Sequence, residues 1–507
     1  MQLDTSRDAS LESLLAGQPA VLEASADVVA EGVRRSGRVL IVLDDDPTGT
    51  QAVAGLPVLT AWHETDLGWA LDTGAPAVYV VTNTRSLDAV AAERINREVV
   101  RAALLAAAPR GVELGWVSRG DSTLRGHFPL EPAAIAAELV AAGEPRPAGT
   151  VVVPAFPEAH RVTIDGVHYT RENGRWVPVG ESEFARDATF GYRASRLVDW
   201  VAEKTAAAAT RGGAVAAPVI ELRLRTLRAG AEAVAEALRA APPGAVIVAD
   251  AVVEHDMRQL ALGLEIVEAE GQSFMYRVGP PFVRARIGQA PSAPVAPRHA
   301  KPPAREGGGI TVVGSHTALT TRQLDVLLRE RPRATVVELD VPALIGEGGA
   351  GPAIRTAAQR CRAALASGDV ILQTSRELVR AAGPEQSLAI SRAVSDAIVE
   401  VMREIIARTT PAYVIAKGGI TSSDVATRGL EIRRAEVAGS LFPGLVSVWL
   451  AASGPAAGVP YVVFPGNVGS DTHLAEAVAK LSGDVAAGSH EAPTPTSSPT
   501  STLGREA

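Results

Sequence analysis

Short apolar runs alternate with helical stretches along most of this chain, and that rhythm restricts its fold more than any other feature. Val39–Leu43, Leu56–Leu59, Ala77–Thr82, Leu114–Val117, Thr150–Pro154, Pro218–Leu222 and Ala245–Ala249 read as strands. Residues 87–107, 130–142, 227–240 and 254–270 read as helices, with apolar residues gathered on one face. Strands alternating with helices predict a mainly parallel sheet covered on both faces. The first run ends abruptly in three carboxylates, Asp44, Asp45 and Asp46, followed by Pro47-Thr48-Gly49. Open α/β sheets bind ligands just beyond the carboxyl ends of their strands. A simple turn has no need of three adjacent like charges, which repel one another.

The chain has 507 residues, more than one core normally organises. A Pro-rich stretch at 288–308 without apolar periodicity reads as a linker. It separates a unit at 38–287 from a second α/β unit at 309–484. A helical extension is expected at 1–37 and a disordered tail at 485–507. The fold class expected is α/β, with two Rossmann-like α/β domains, mainly parallel sheets and a cleft between them that closes about the linker. Residues 155–195 break the rhythm with Tyr, Trp, His and an Asn173-Gly174 turn signal, which suggests a hairpin or lid over that cleft. A net charge of −8 argues against nucleic acid or an anionic membrane surface as partner. An aromatic content of 4% leaves little for stacking bases. No apolar run is long enough to span a membrane. The single cysteine, Cys361, rules out an intrachain disulfide and fits the cytoplasm.

The second unit repeats one device three times: a strand, a tight polar loop and a helix start. The loops are Gly314-Ser315-His316-Thr317, Lys417-Gly418-Gly419-Ile420-Thr421, and Gly466-Asn467-Val468-Gly469. Glycines admit a ligand close to the backbone, and free N–H groups at a helix start favour phosphate. A fourth junction, Thr374-Ser375-Arg376, adds a cation. No P-loop and no spaced dinucleotide fingerprint occurs. The first unit carries Asp45 and Asp46 for hydroxyls. It also has Arg85, Arg119 and Arg125 at or just after strand ends, where a guanidinium can grip a carboxylate. Asp121, Ser122 and Thr123 stand beside them. Acids for hydroxyls and arginines for a carboxylate describe a sugar-acid pocket. His127, His160, His168 and His316 show no metal-ligand spacing, and the metal ligands stay unassigned.

These motifs resemble the four-carbon acid sugar kinases, formerly a domain of unknown function, which act on threonate, erythronate and 3-oxo-tetronate. The matching residues are Asp45-Asp46-Pro47-Thr48-Gly49, Thr84-Arg85-Ser86, Asp121–Gly126 and the glycine loops of the second unit, in order from about 39 to 482. The resemblance implies ATP and Mg²⁺ as cofactors, with ATP on Ser315, Thr317, Lys417, Gly418, Gly419, Ile420, Thr421, Gly466, Asn467 and Gly469. It implies sugar-acid contacts at Asp45, Asp46, Arg85, Asp121, Ser122, Thr123 and Arg125. Asp46, with Asp45 next, is expected as the catalytic base, and a homodimer is compatible with it. Ile420 stands where the family has an acid, and Phe464 where it has a lysine. Lys417 is therefore expected to supply the phosphate-facing charge. Pro157–Arg161 departs from the family's glycine-arginine pair. Two rivals remain: a haloacid-dehalogenase-like phosphatase with Asp44 as nucleophile and Asp46 as acid/base, and a non-catalytic sugar-acid sensor.

Overall fold

In the computed structural model, residues 10–209, 217–291, 307–345, 349–375, 384–466 and 468–483 are described. The Pro-rich stretch (but for its ends), the tail, Arg376 and Asn467 lie outside them. The Val- and Ile-rich runs do form strands, nearly all buried, because both faces of the sheet are covered by helices. Among the described residues the strands of both units join one sheet of 15. From one edge the order is Thr335–Leu339, Val370–Thr374, Ile310–Val313, Val414–Lys417, Pro460–Phe464, Leu445–Ala451 and Arg434–Phe442. It continues through Leu56–Leu59, Ala77–Val81, Val39–Asp44, Leu114–Arg119, Phe274–Val278, Gly149–Val153, Ala245–Ala249 and Val219–Leu222. The α/β, mainly parallel fold class is observed. The hairpin Arg434–Ala451, the strand Thr335–Leu339 and the strand Phe274–Val278 are additions to the elements read from sequence.

The seam between the halves is antiparallel: Leu59 faces Arg434 and Leu56 faces Val437. Buried Leu56, Val58, Val437, Trp449 and Tyr461 run across it in one cluster. Beyond the seam the parallel strands point the opposite way. Six strand-to-strand steps separate Val39–Asp44 from Val414–Lys417. A twist of about 20–25° per step accumulates to roughly 120–150°. That rotation brings the carboxyl ends of the two halves back toward one another.

The 155–195 stretch forms a three-stranded antiparallel sheet, Arg161–Ile164, Val167–Glu172 and Arg175–Pro178. Asp250 fastens it: its carboxylate accepts from the N–H groups of Asp165 (3.0 Å), Gly166 (2.8 Å) and Leu224 (3.0 Å). At the N-terminus, the helix Ala26–Ser36 lays Val29 and Val33 on Ala261 of the helix Glu254–Ala269.

Asp66 ties the halves together beside the seam. It is 1% exposed and pairs with Arg433 (2.6 Å) and Arg434 (2.7 Å). Burial alone would push its carboxyl up, but the two guanidiniums outweigh burial and hold it below the ordinary range. A folded pKa below the unfolded one gives stability that is full above about pH 4 and lost as pH falls through the folded value. Asp66→Ala should cost about 1.5–3 kcal/mol at neutral pH in denaturant titrations. Its stability should fall less steeply than the parent's below about pH 4.

Candidate functional site

The register of the sheet lines up the chemistry. Asp44 pairs across from Val81 and Arg119, and Val278 pairs with Arg119. The residues just beyond these strand ends therefore share one rim: Asp45 and Asp46, Thr84 and Arg85, Gly120–Arg125, and Gly279-Pro280. In the other half Val313, Gln373, Lys417 and Phe464 are likewise in register. Between the two rims lies a cavity of about 160 Å³, lined from the first half by Asp46, Arg85, Ser122 and Arg161 among others, and from the second by Gly419, Pro465, Gly466 and Val468.

The three acids have three different environments. Asp44 is 0% exposed and ion-paired with Arg119, and it accepts the N–H of Asp46 at 3.2 Å. That placement denies it the open approach a nucleophile needs. Asp45 is also buried and takes both arms of Arg85, at 2.7 and 3.3 Å. Burial pushes its carboxyl up to about 6, against the pull of Arg85 and Arg277. Asp46 caps the short 3₁₀ turn Pro47–Ala52, its Oδ1 accepting the Thr48 N–H at 2.8 Å. Its side chain is 21% exposed, and Oδ2 lies 3.5 Å from Arg85 Nη1. The same Oδ2 stands 3.9 Å from where a Cβ would sit on Gly419. Asp46 thus spans the cavity to the paired-glycine loop. Four residues on, Thr50 is buried against the other half, donating to Ser447 Oγ (2.8 Å) and accepting from Trp449 Nε1 (2.9 Å).

Asp121 sits among Arg125 (2.6 Å), Arg85 (3.9 Å) and the Thr123 hydroxyl. Burial opposes its charge, yet Arg85, Arg125 and Arg161 outweigh burial and hold its carboxyl far below the usual range. Ser122 presents its hydroxyl to Arg161 Nη1 at 3.2 Å. Its carbonyl accepts from His168 Nε2 at 2.8 Å, and the Thr163 hydroxyl meets His168 Nδ1 at 2.9 Å. Burial lowers His168 to about 4, so it is neutral, with Nε2 the protonated atom and a structural part to play. Thr123 turns to Asp121 and away from the cavity. Sequence reasoning missed Arg277, which bonds Glu131 (2.6 Å) and Ser118 (2.8 Å) and approaches Asp45 at 3.8 Å. Gly120 and Gly126 leave room for it: a Cβ on either would fall within 2.7 Å of its guanidinium. The legible signal was a lone arginine in the apolar run Phe274–Val278.

The three glycine loops meet. Thr317 Oγ1 donates to the Gly466 carbonyl at 2.8 Å, and Thr320 Oγ1 reaches both that carbonyl and Ser315 Oγ at 3.0 Å. Cβ atoms at Gly314, Gly418 and Gly466 would lie 2.3, 3.1 and 2.8 Å from Thr421 Oγ1, Thr421 Oγ1 and Ser315 Oγ. Such a cradle of small residues suits a phosphate chain, whose oxygens take backbone N–H groups. Ile420 is 65% exposed at its edge, and Gly469 has φ 92°. Lys417 departs from expectation. It is fully buried, over the Phe464 ring, and its Nζ donates to the Pro465 carbonyl at 2.6 Å. Burial lowers its ammonium to about 7. It braces the Gly466 loop from beneath and presents no charge to the cavity. Among the described residues no three His, Cys, Asp or Glu gather as metal ligands, and no helix is long and apolar enough to cross a membrane.

Comparison with known proteins agrees with this two-sided site. Residues 40–286 match the sugar-binding N-terminal domain model and residues 310–474 the nucleotide-binding C-terminal domain model. The molecule is thus a sugar-binding half fused to a nucleotide-binding half. The chain belongs to the four-carbon acid sugar kinase family that these two domains define. The D-threonate kinase of Salmonella typhimurium is 28% identical over 260 residues, 50% of this chain and 53% of that protein. The chain thus matches about half the length of this relative. Two solved structures share the fold at 18% identity. One is described as a putative tRNA synthase of Salmonella typhimurium, with a TM-score of 0.64 over 87% of this chain and 98% of that one. The other is a Haemophilus influenzae protein, at 0.57 over 86% and 99%.

Gly418 tests the cradle. It has φ 127°, which an L side chain rarely adopts, and Ser315 and Thr421 crowd it. Gly418→Ala should cost about 1–3 kcal/mol in chemical unfolding. Gly368→Ala, with nothing within 4 Å, should change stability by less than about 0.5 kcal/mol.

Proposed function

We propose that this protein is an ATP-dependent kinase that phosphorylates a hydroxyl of a four-carbon acid sugar of the threonate, erythronate or 3-oxo-tetronate type. The observation that carries this reading is Asp46, held by Thr48 on the sugar-binding side with Oδ2 turned to Gly419 on the nucleotide side. A base in that position can take a hydroxyl proton where the hydroxyl meets a phosphate bound on the loops. Family membership and the likeness to a D-threonate kinase support the same reaction class. The phosphatase reading would need Asp44 as nucleophile, and Asp44 is sealed by Arg119.

In this reading the ATP phosphates lie over Gly314–Thr317, Gly418–Thr421 and Gly466–Gly469. The Ser315 hydroxyl and the loop N–H groups hold their oxygens, with Thr317 and Thr320 bracing the Gly466 carbonyl behind them. The loops are preformed, so little reorganisation is needed when charge develops. Asp46, the carboxylate that faces the loops, would hold a Mg²⁺ ion, which would supply charge neutralisation for the phosphates; such ions need only one or two carboxylates. The acid sugar sits on the first half. Asp46 orients the attacking hydroxyl and accepts its proton, and Asp45 holds Arg85 in place beside it. Positioning of hydroxyl and phosphate then accounts for most of the rate.

Incubation with Mg-ATP and a panel of C4 acids, with product followed by mass, tests the assignment; no phosphorylated acid from any of them sinks it. Asp46→Asn should lower kcat by about 10²–10⁴-fold while leaving the KM for ATP within a few-fold. Asp45 must be ionised to hold Arg85, so kcat/KM should fall below pH about 6, and Asp45→Asn should erase that acid limb.

A further inference from the structure

The arginines of the cavity are not equivalent. Arg119 is matched by Asp44, Arg85 by Asp45, Arg125 by Asp121, and Arg277 just beneath by Glu131. These pairs leave no net positive charge to offer a ligand. Arg161 differs. It lines the cavity, yet among the described residues no carboxylate lies within 4.0 Å of its guanidinium. Among the described residues its one side-chain hydrogen bond is from Nη1 to Ser122 Oγ at 3.2 Å, and its buried Nε meets no partner. Burial lowers its pKa; the attraction of Asp121, which is already paired with Arg125, offsets that only in part, and the Arg125 guanidinium adds to it.

The group is also rigidly aimed. Arg161 opens the first strand of the inserted sheet, and its backbone exchanges hydrogen bonds with Phe156 at 2.8 and 3.0 Å. His160 before it has φ 56°, a left-handed turn that swings the chain into the strand. The guanidinium lies over the Phe184 ring, 5.3 Å from its centre, which fixes its plane. A preorganised, desolvated guanidinium without an anion is a receptor for one, and its planar fork fits a carboxylate.

We propose that Arg161, with the Ser122 hydroxyl, grips the substrate carboxylate and gives the site its preference for acids over neutral analogues. The task expected of Arg85 and Arg125 thus passes to a residue of the insert, because those two are consumed by the chain's own acids. The proposal rests on the kinase reading only for the nature of the ligand, a small sugar acid.

The test is titration of threonate, and separately of its neutral amide, into the full-length protein without ATP. The parent should bind the acid about 10–100-fold more tightly than the amide, the range of one charge-assisted contact. Arg161→Gln should bring that ratio near one with amide affinity unchanged, and Arg161→Lys should restore part of it. In turnover, the KM for the acid should rise while the KM for ATP stays. An unaltered ratio in Arg161→Gln, equal loss of acid and amide, or a parent without acid preference each overturns the clamp. A parent that binds acid through Arg161 but transfers no phosphate from ATP overturns the kinase reading and leaves the clamp standing.

Discussion

Antiparallel pairing of Leu56–Leu59 with Arg434–Phe442 is the contact on which the rest of the molecule depends. It reverses strand direction at the seam, and the natural twist of the sheet then returns the opposed carboxyl ends to a common cavity. Two α/β halves with chemistry only at their own strand ends would otherwise present it to opposite sides. The acidic loop follows this geometry in miniature. Asp44 is locked to Arg119 in one half, Thr50 is locked to Ser447 and Trp449 in the other, and Asp46 is suspended between them.

Electrostatics explains why so many charges sit here without unfolding the chain. A buried charge costs several kcal/mol unless paired and hydrogen-bonded. Each acid of the rim has its guanidinium, and the buried cations below have theirs. The polar network is therefore nearly closed before any ligand arrives. Among the groups left open toward the cavity are the Asp46 oxygen that faces Gly419 and the Arg161 fork in the insert.

Much of this was legible in the sequence, for a physical reason. Strand–helix alternation, the acids after Leu43, the Asp121–Gly126 segment and the glycine loops are local patterns, and local patterns survive in one dimension. The seam was not legible. Leu56–Leu59 and Arg434–Phe442 are separated by more than 370 positions, and strand partners that distant leave no periodic trace. Arg277 and Arg161 escaped for a related reason: their meaning lies in which acids reach them, and the short runs Phe274–Val278 and Arg161–Ile164 look like ordinary strands. Lys417 was read by elimination as a cation for phosphate. It does lie at the strand end just before the paired glycines, but its side chain points inward and is sealed by its neighbours.

The shared sheet also changes what opening and closing can mean. Halves linked by a flexible tether can swing apart at little cost. Halves that share backbone hydrogen bonds and an unbroken apolar layer cannot, because parting them would expose Leu56, Val58, Val437 and Trp449 together. The cavity's width is therefore a built dimension, set by sheet twist like the throat of a wound spring. The inserted three-stranded sheet is tied to the same frame, through Asp250 and through His168 on the Ser122 carbonyl, so the cavity wall it supplies is fixed as well. With the frame fixed on both sides, a change of side chains on this appendage alters the lining of the cavity without altering its width.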